Sequence, residues 1–211
     1  MEITTLDALF EHELKDIYDA EKRLTKALPK MAKKAETEEL RGLFEEHLQV
    51  TNQQIQRLEQ IFELIEVKPK AKPCAGMKGL VEEGEEIMGA EMEGDLRDLA
   101  IAGAARKVET YEITAYRSLQ AMAELLGDQE VQDLIDETLR EEEEAEQRLT
   151  AICDQLLQNA SGEEEEEDEE SIDEEDDEDL TMEDEEEEEE INEDEAVPAG
   201  PRTPGKQPGR K

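Results

Sequence analysis

Apolar residues recur three and four positions apart through most of residues 1–160, the signature of helices that each bury one face. Phe10, Leu14, Ile17, Leu24, Leu28 and Met31 form one stripe, and Leu40, Phe44, Thr51, Leu58 and Ile61 a second. Ala105, Val108, Ala115, Leu119 and Met122 form a third, and Ile135, Leu139, Leu149, Ile152 and Leu156 a fourth. These stripes predict four long helices, over about residues 5–35, 38–65, 92–126 and 129–159. Thr4 with Asp7 reads as a capping box for the first helix, and Thr37 as the N-cap of the second. Lys30, Lys33 and Lys34 complement the carbonyl end of the first helix, while Pro29 predicts a kink or an early end. Gly127-Asp128 is a stop and turn signal.

The links after the first and third helices are short, so each joins its helix to the next as an antiparallel hairpin. Between the hairpins, Val67 to Cys74 carries two prolines and three lysines and reads as an exposed connector. Met77, Leu80, Val81, Ile87 and Met88 then predict a short amphipathic helix at about 75–90. Two hairpins and one long crossover make an all-α, ferritin-like four-helix bundle rather than a simple up-down-up-down one.

Composition sharpens this picture. Aromatics are 3% and Trp is absent, so the core has to be aliphatic. The net charge of −40 is densest after residue 160, where Glu163 to Glu170 and Glu183 to Glu190 are unbroken acidic runs. The chain therefore reads as a bundle at 1–160 and a disordered polyacidic tail at 161–211 with a Pro/Gly/basic end. So acidic a chain is not expected to bind nucleic acid directly, although the tail could take a basic protein partner. No apolar run is long enough to span a bilayer, and the N-terminus lacks signal-peptide features, so a cytoplasmic location is expected. Cys74 and Cys153 are too few for a disulfide framework.

Each apolar stripe is interrupted by a polar residue. Glu21 falls between Ile17 and Leu24, His47 between Phe44 and Thr51, Glu109 and Glu112 lie along the third stripe, and Glu142 on the fourth. In a chain this rich in glutamate, one glutamate on an apolar face could be chance or a rim position, and a lone histidine is more often a satisfied core residue. Interruption of all four stripes points to one cause. A buried carboxylate is costly unless it is paired, protonated or bound to metal. Carboxylates with a neutral imidazole suit iron or manganese, and four helices could hold one or two such ions per chain. Glu146 lies at the edge of the fourth stripe, and His12 shares a face with charged residues and should be exposed. Tyr116, one turn from Glu112, could hydrogen-bond a ligand.

The segments Tyr18-Asp19-Ala20-Glu21, Glu46-His47-Leu48-Gln49-Val50-Thr51, Lys107-Val108-Glu109-Thr110-Tyr111-Glu112 and Thr138-Leu139-Arg140-Glu141-Glu142 resemble the YciF-like family of ferritin-like proteins. Cys74-Ala75-Gly76-Met77-Lys78-Gly79-Leu80 resembles that family's crossover, and the match spans about residues 3–158. The resemblance implies a dimetal carboxylate site with Glu21, His47, Glu109, Glu112 and Glu142 as ligands. It also implies homodimers or larger oligomers, and iron or peroxide chemistry under stress. Three positions depart from the family pattern: Val50 replaces a glutamate, Thr110 a histidine, and Ala145 a frequent threonine. The loss of an oxygen donor at Val50 leaves a second reading, a non-catalytic bundle with a degenerate metal site whose tail binds basic partners or divalent cations. If two ions do bind, Glu146 or Glu46 is the expected source of the missing oxygen.

Overall fold

Five helices and no strand make up residues 3–161, the part of the chain described by the computed structural model. They are α1 (Leu6–Lys34), α2 (Glu38–Leu64), α3 (Ala75–Gly89), α4 (Gly94–Leu126) and α5 (Gln129–Ser161). α1 packs along α2 and α4 along α5. Contacts of α1 with α4 and of α2 with α5 close the four-sided bundle, and α3 lies against α1 and α4. This is the ferritin-like arrangement of two hairpins and a crossover. The expected acidic tail, apart from Ser161 at the end of α5, lies outside the described residues.

The stripes explain the packing. Every residue named in them is buried except Ala115, which is half-buried because Tyr116 takes the inward position beside it. Fully burying a leucine or isoleucine contributes about 1.5–3 kcal/mol, so the matching of four faces supplies most of the drive to assemble. That drive also accounts for Pro29. α1 does not end there but continues to Lys34, because Met31 and Ala32 beyond the proline are themselves buried.

The helix ends are fixed by local bonds. α1 is capped by Thr5, one residue later than the Thr4–Asp7 pattern implied: its Oγ1 accepts from the Ala8 backbone N–H at 3.2 Å. Ala8 cannot reciprocate, so no capping box forms. Thr37 caps α2, its Oγ1 accepting from Leu40 N–H at 3.4 Å. Asp98, buried on α4, accepts from the backbone N–H groups of Glu36 and Thr37, both at 2.8 Å, and from the Thr37 hydroxyl at 2.7 Å. This carboxylate ties the α1–α2 turn to the second hairpin. Gly127 ends α4 at φ 78°, and Asp128 caps α5 by accepting from Val131 N–H at 3.2 Å.

The connector is exposed over Lys68–Lys70 but pinned at its end. Lys72 donates to Asp16 Oδ1 at 2.7 Å, and the Tyr111 hydroxyl donates to Asp16 Oδ2 at 3.1 Å. Cys74 Sγ lies 2.9 Å from that hydroxyl and accepts from Met77 N–H at 3.3 Å, capping α3. A Cβ at Gly76 would stand 2.7 Å from the Tyr111 ring, so only glycine lets α3 approach α4 this closely. Both cysteines are free and buried.

Candidate metal centre

The polar residues that interrupt the stripes all turn inward. Glu21, Glu112 and Glu142 are 0% exposed, Glu109 3% and His47 5%. α1 supplies Glu21, α2 His47, α4 Glu109 and Glu112, and α5 Glu142, each fixed by the apolar residues a turn away on its own helix. His47 Nε2 lies 3.5 Å from Glu109 Oε1 and 3.7 Å from Glu142 Oε2. Ligand atoms of these three side chains all fall within 4.8 Å of one another, the spacing of donors around a single ion. Glu21 and Glu112 lie in the same interior but outside that tight group.

Most of these donor atoms have no partner. His47 Nε2, Glu21 Oε2, Glu109 Oε2, both oxygens of Glu112 and Glu142 Oε2 are buried without a hydrogen bond. Burial pushes the carboxyls of Glu21, Glu112 and Glu142 well above the ordinary range, and neighbouring carboxylates push them further. Burial likewise takes Glu109 up to about 7. Without a cation, such a cluster has to hold protons. Buried oxygen donors around one imidazole nitrogen are compatible with a metal ion, so His47, Glu109 and Glu142 could hold one.

One oxygen each of Glu21 and Glu142 is held. The Tyr116 hydroxyl, whose proton is retained because burial and Glu21 raise its pKa, donates to Glu21 Oε1. Gln54 Nε2 donates to Glu142 Oε1 and, at 3.2 Å, to Glu141 Oε2. Arg57 grips Glu141 with two bonds of 2.6 Å and reaches Glu137 at 2.8 Å, bracing α2 against α5 behind the centre. Sequence reasoning passed over Gln54, Arg57 and Asp98. Gln54 was legible, since it sits on the inner face between Thr51 and Leu58. Arg57 and Asp98 were not, because what they bond comes from distant segments.

Several side chains lie elsewhere than expected. Glu46 is exposed and bound to Arg148 at 2.8 Å, and Glu146 is held by Arg106 at 3.0 Å and Thr150 at 2.9 Å, so neither supplies an oxygen to the centre. His12 is half-buried rather than exposed, with Nδ1 enclosed. Val50 lines a cleft of about 80 Å³ between α2 and α5, together with His47, Glu141, Glu144, Ala145 and Arg148. Exposed Glu144 and Arg148 share this cleft with buried His47, so it runs from the surface toward the centre. A larger depression of about 380 Å³ between α4 and α5 touches none of the five inward groups. No helix among the described residues is long and apolar enough to cross a membrane.

Residues 5–161 match the family described as a domain of unknown function, DUF892. Protein YciF of Escherichia coli is 40% identical over 151 residues, which are 71% of this chain and 91% of that protein. The crystal structure of the E. coli stress protein YciF matches at 39% identity with a TM-score of 0.70, over 75% of this chain and 99% of that one. YcfI of Rhodopseudomonas palustris, described as a candidate structural protein, matches at 38% identity with a TM-score of 0.69, over 71% of this chain and 95% of its own. A family model spanning three quarters of the sequence, together with these relatives, places the chain in the DUF892 family, among proteins similar to YciF.

Proposed function

We propose that the protein is a ferritin-like metalloprotein that binds iron or manganese inside its bundle and acts in iron or peroxide handling under stress. The observation that carries this reading is the set of unpartnered donor atoms on His47, Glu21, Glu109, Glu112 and Glu142, all buried. His47, Glu109 and Glu142 would hold one ion, and Glu21 and Glu112 would supply donors for a second. When bound, such a metal supplies a change of oxidation state and an open coordination position. The chain's own residues do the rest. Tyr116 and Gln54 orient the carboxylates of Glu21 and Glu142, and the buried carboxyls give up or take protons as the charge in the centre changes. The cleft beside His47 has room for a few water-sized molecules, which suits a small oxidant such as peroxide. The stress setting is taken from the description of the E. coli relative. Association into homodimers or larger oligomers is part of this proposal, and sedimentation measures it.

A second reading rests on Val50, which stands one turn from His47 and has no donor atom to offer a metal. In it the bundle is non-catalytic, the metal site is degenerate, and the acidic tail binds basic partners or divalent cations. Elemental analysis of the purified protein separates the two. The first reading expects iron or manganese at one or two ions per chain, lost in Glu142→Gln and His47→Ala. Metal-free protein that takes up neither ion in reconstitution leaves only the second.

A further inference from the structure

Gln54 is the residue of the interior that neither the apolar core nor the five inward donors account for. It sits on α2 two turns after His47 and is fully buried. Its Nε2 is occupied by Glu142 and Glu141, but its carbonyl Oε1 is buried with no partner. A buried amide oxygen without a donor is destabilising. The carboxylates its amide touches are acceptors when ionised, and the nearby Arg57 is committed to Glu137, Thr138 and Glu141. A cation is a group that this carbonyl and its ionised acidic neighbours can bind together.

We propose that Gln54 Oε1 is a metal ligand, a neutral oxygen donor that supplies from the next turn of α2 what Val50 cannot. Side chains at 47, 51, 54 and 58 share the inner face, with Thr51 removed from contention because its hydroxyl donates to the His47 carbonyl at 2.9 Å. An amide oxygen is a hard donor suited to the same metals as a carboxylate, and it adds no charge to an interior already crowded with negative groups. With Nε2 holding Glu142 Oε1, one amide both directs Glu142 Oε2 toward His47 and contributes its own oxygen. This inference rests on the metal reading of the centre, and its test is arranged so that the two can fail separately.

The probe is Co2+, followed by visible absorption and by competition with a chelator, on the full-length chain, with the thermal midpoint of each metal-free variant recorded beside it. Gln54→Leu should lower Co2+ affinity tenfold or more. Gln54→Glu, which restores an oxygen but not the N–H bond to Glu142, should recover the affinity. If both variants lose affinity alike, Gln54 only positions Glu142 and the ligand assignment is wrong. It is equally wrong if neither variant changes affinity, or if Gln54→Leu only lowers the metal-free midpoint. Failure of the unmodified chain to bind Co2+ would overturn the metal reading itself, and this assignment with it.

Discussion

Glu109 contributes to the pH behaviour of the metal-free protein. Its folded-state pKa is raised from the ordinary 4.5 to about 7, with burial the largest cause. A raised carboxyl favours the folded state below its unfolded pKa, and that stability is lost as pH rises through the folded one. The loss amounts to about 3 kcal/mol, taking about 1.4 kcal/mol per unit. Glu21, Glu112 and Glu142 are shifted in the same direction and extend the decline to higher pH. The thermal midpoint of metal-free protein should therefore fall between about pH 4.5 and 7, and Glu109→Gln should make that slope shallower without abolishing it, since the other three carboxyls remain; a midpoint that rises over this range would contradict the assignment. Val50 belongs to the same scale. It lines the cleft beside His47, so Val50→Glu places a carboxylate one turn along α2 from the imidazole. The variant is expected to carry more metal, toward two ions per chain, when both proteins are purified from the same medium and analysed for metal. An unchanged content would mean that the new carboxylate pairs with Arg148 across the cleft, and Arg148→Ala in the same background would then release it.

Among the helices, the α1–α2 turn is tied to α4 by Asp98, beside the bonds that Glu36 accepts from Gly94 N–H and Arg97 at 2.9 Å. Asp98 reaches it from α4 and accepts three hydrogen bonds, two from backbone N–H groups at the start of α2. Its charge also suits the positive end of that helix. Asp98→Ala removes all three bonds around half-buried Thr37 and exposed Glu36 and should cost about 1–3 kcal/mol, read from urea unfolding. Asp98→Asn retains acceptor capacity on one atom and should cost less. Equal stability of Asp98→Ala and the unmodified chain would show that water replaces the carboxylate there. The crossover is held differently, by the Lys72–Asp16–Tyr111–Cys74 series and the close approach at Gly76. Its register therefore depends on several modest contacts rather than one.

For the whole molecule, the proposed metal reading couples metal binding to folding. An ion that binds only the native bundle stabilises it by about 2.7 kcal/mol at a hundredfold excess over its dissociation constant. For a domain of this size, that is a rise in midpoint of about 5–10 °C. Stripping metal with a chelator at pH 7.5 should lower the midpoint by that amount, and the drop should shrink toward pH 5, where protons replace the cation in the carboxyl cluster. A chelator effect independent of pH would argue that the ion sits elsewhere than among these carboxyls.

Helix existence, order and nearly every boundary follow from local spacing, because burying one face of a helix imposes a period that the chain carries openly. The same spacing placed Glu21, His47, Glu109, Glu112 and Glu142 on inward faces, since an inward direction is a property of one helix. Which of them meet depends on how the four helices rotate and slide against one another, and that is decided by packing. Only in the folded bundle do His47, Glu109 and Glu142 close to within 4.8 Å while Glu21 and Glu112 stand apart from that group. Packing likewise turned Tyr116 rather than Ala115 inward, carried α1 past Pro29, and delivered Asp98 and Arg57 to partners 61 and 84 residues away. Periodicity fixes the face a side chain lies on; only the tertiary structure fixes its partner, because partners come from segments that no local pattern connects.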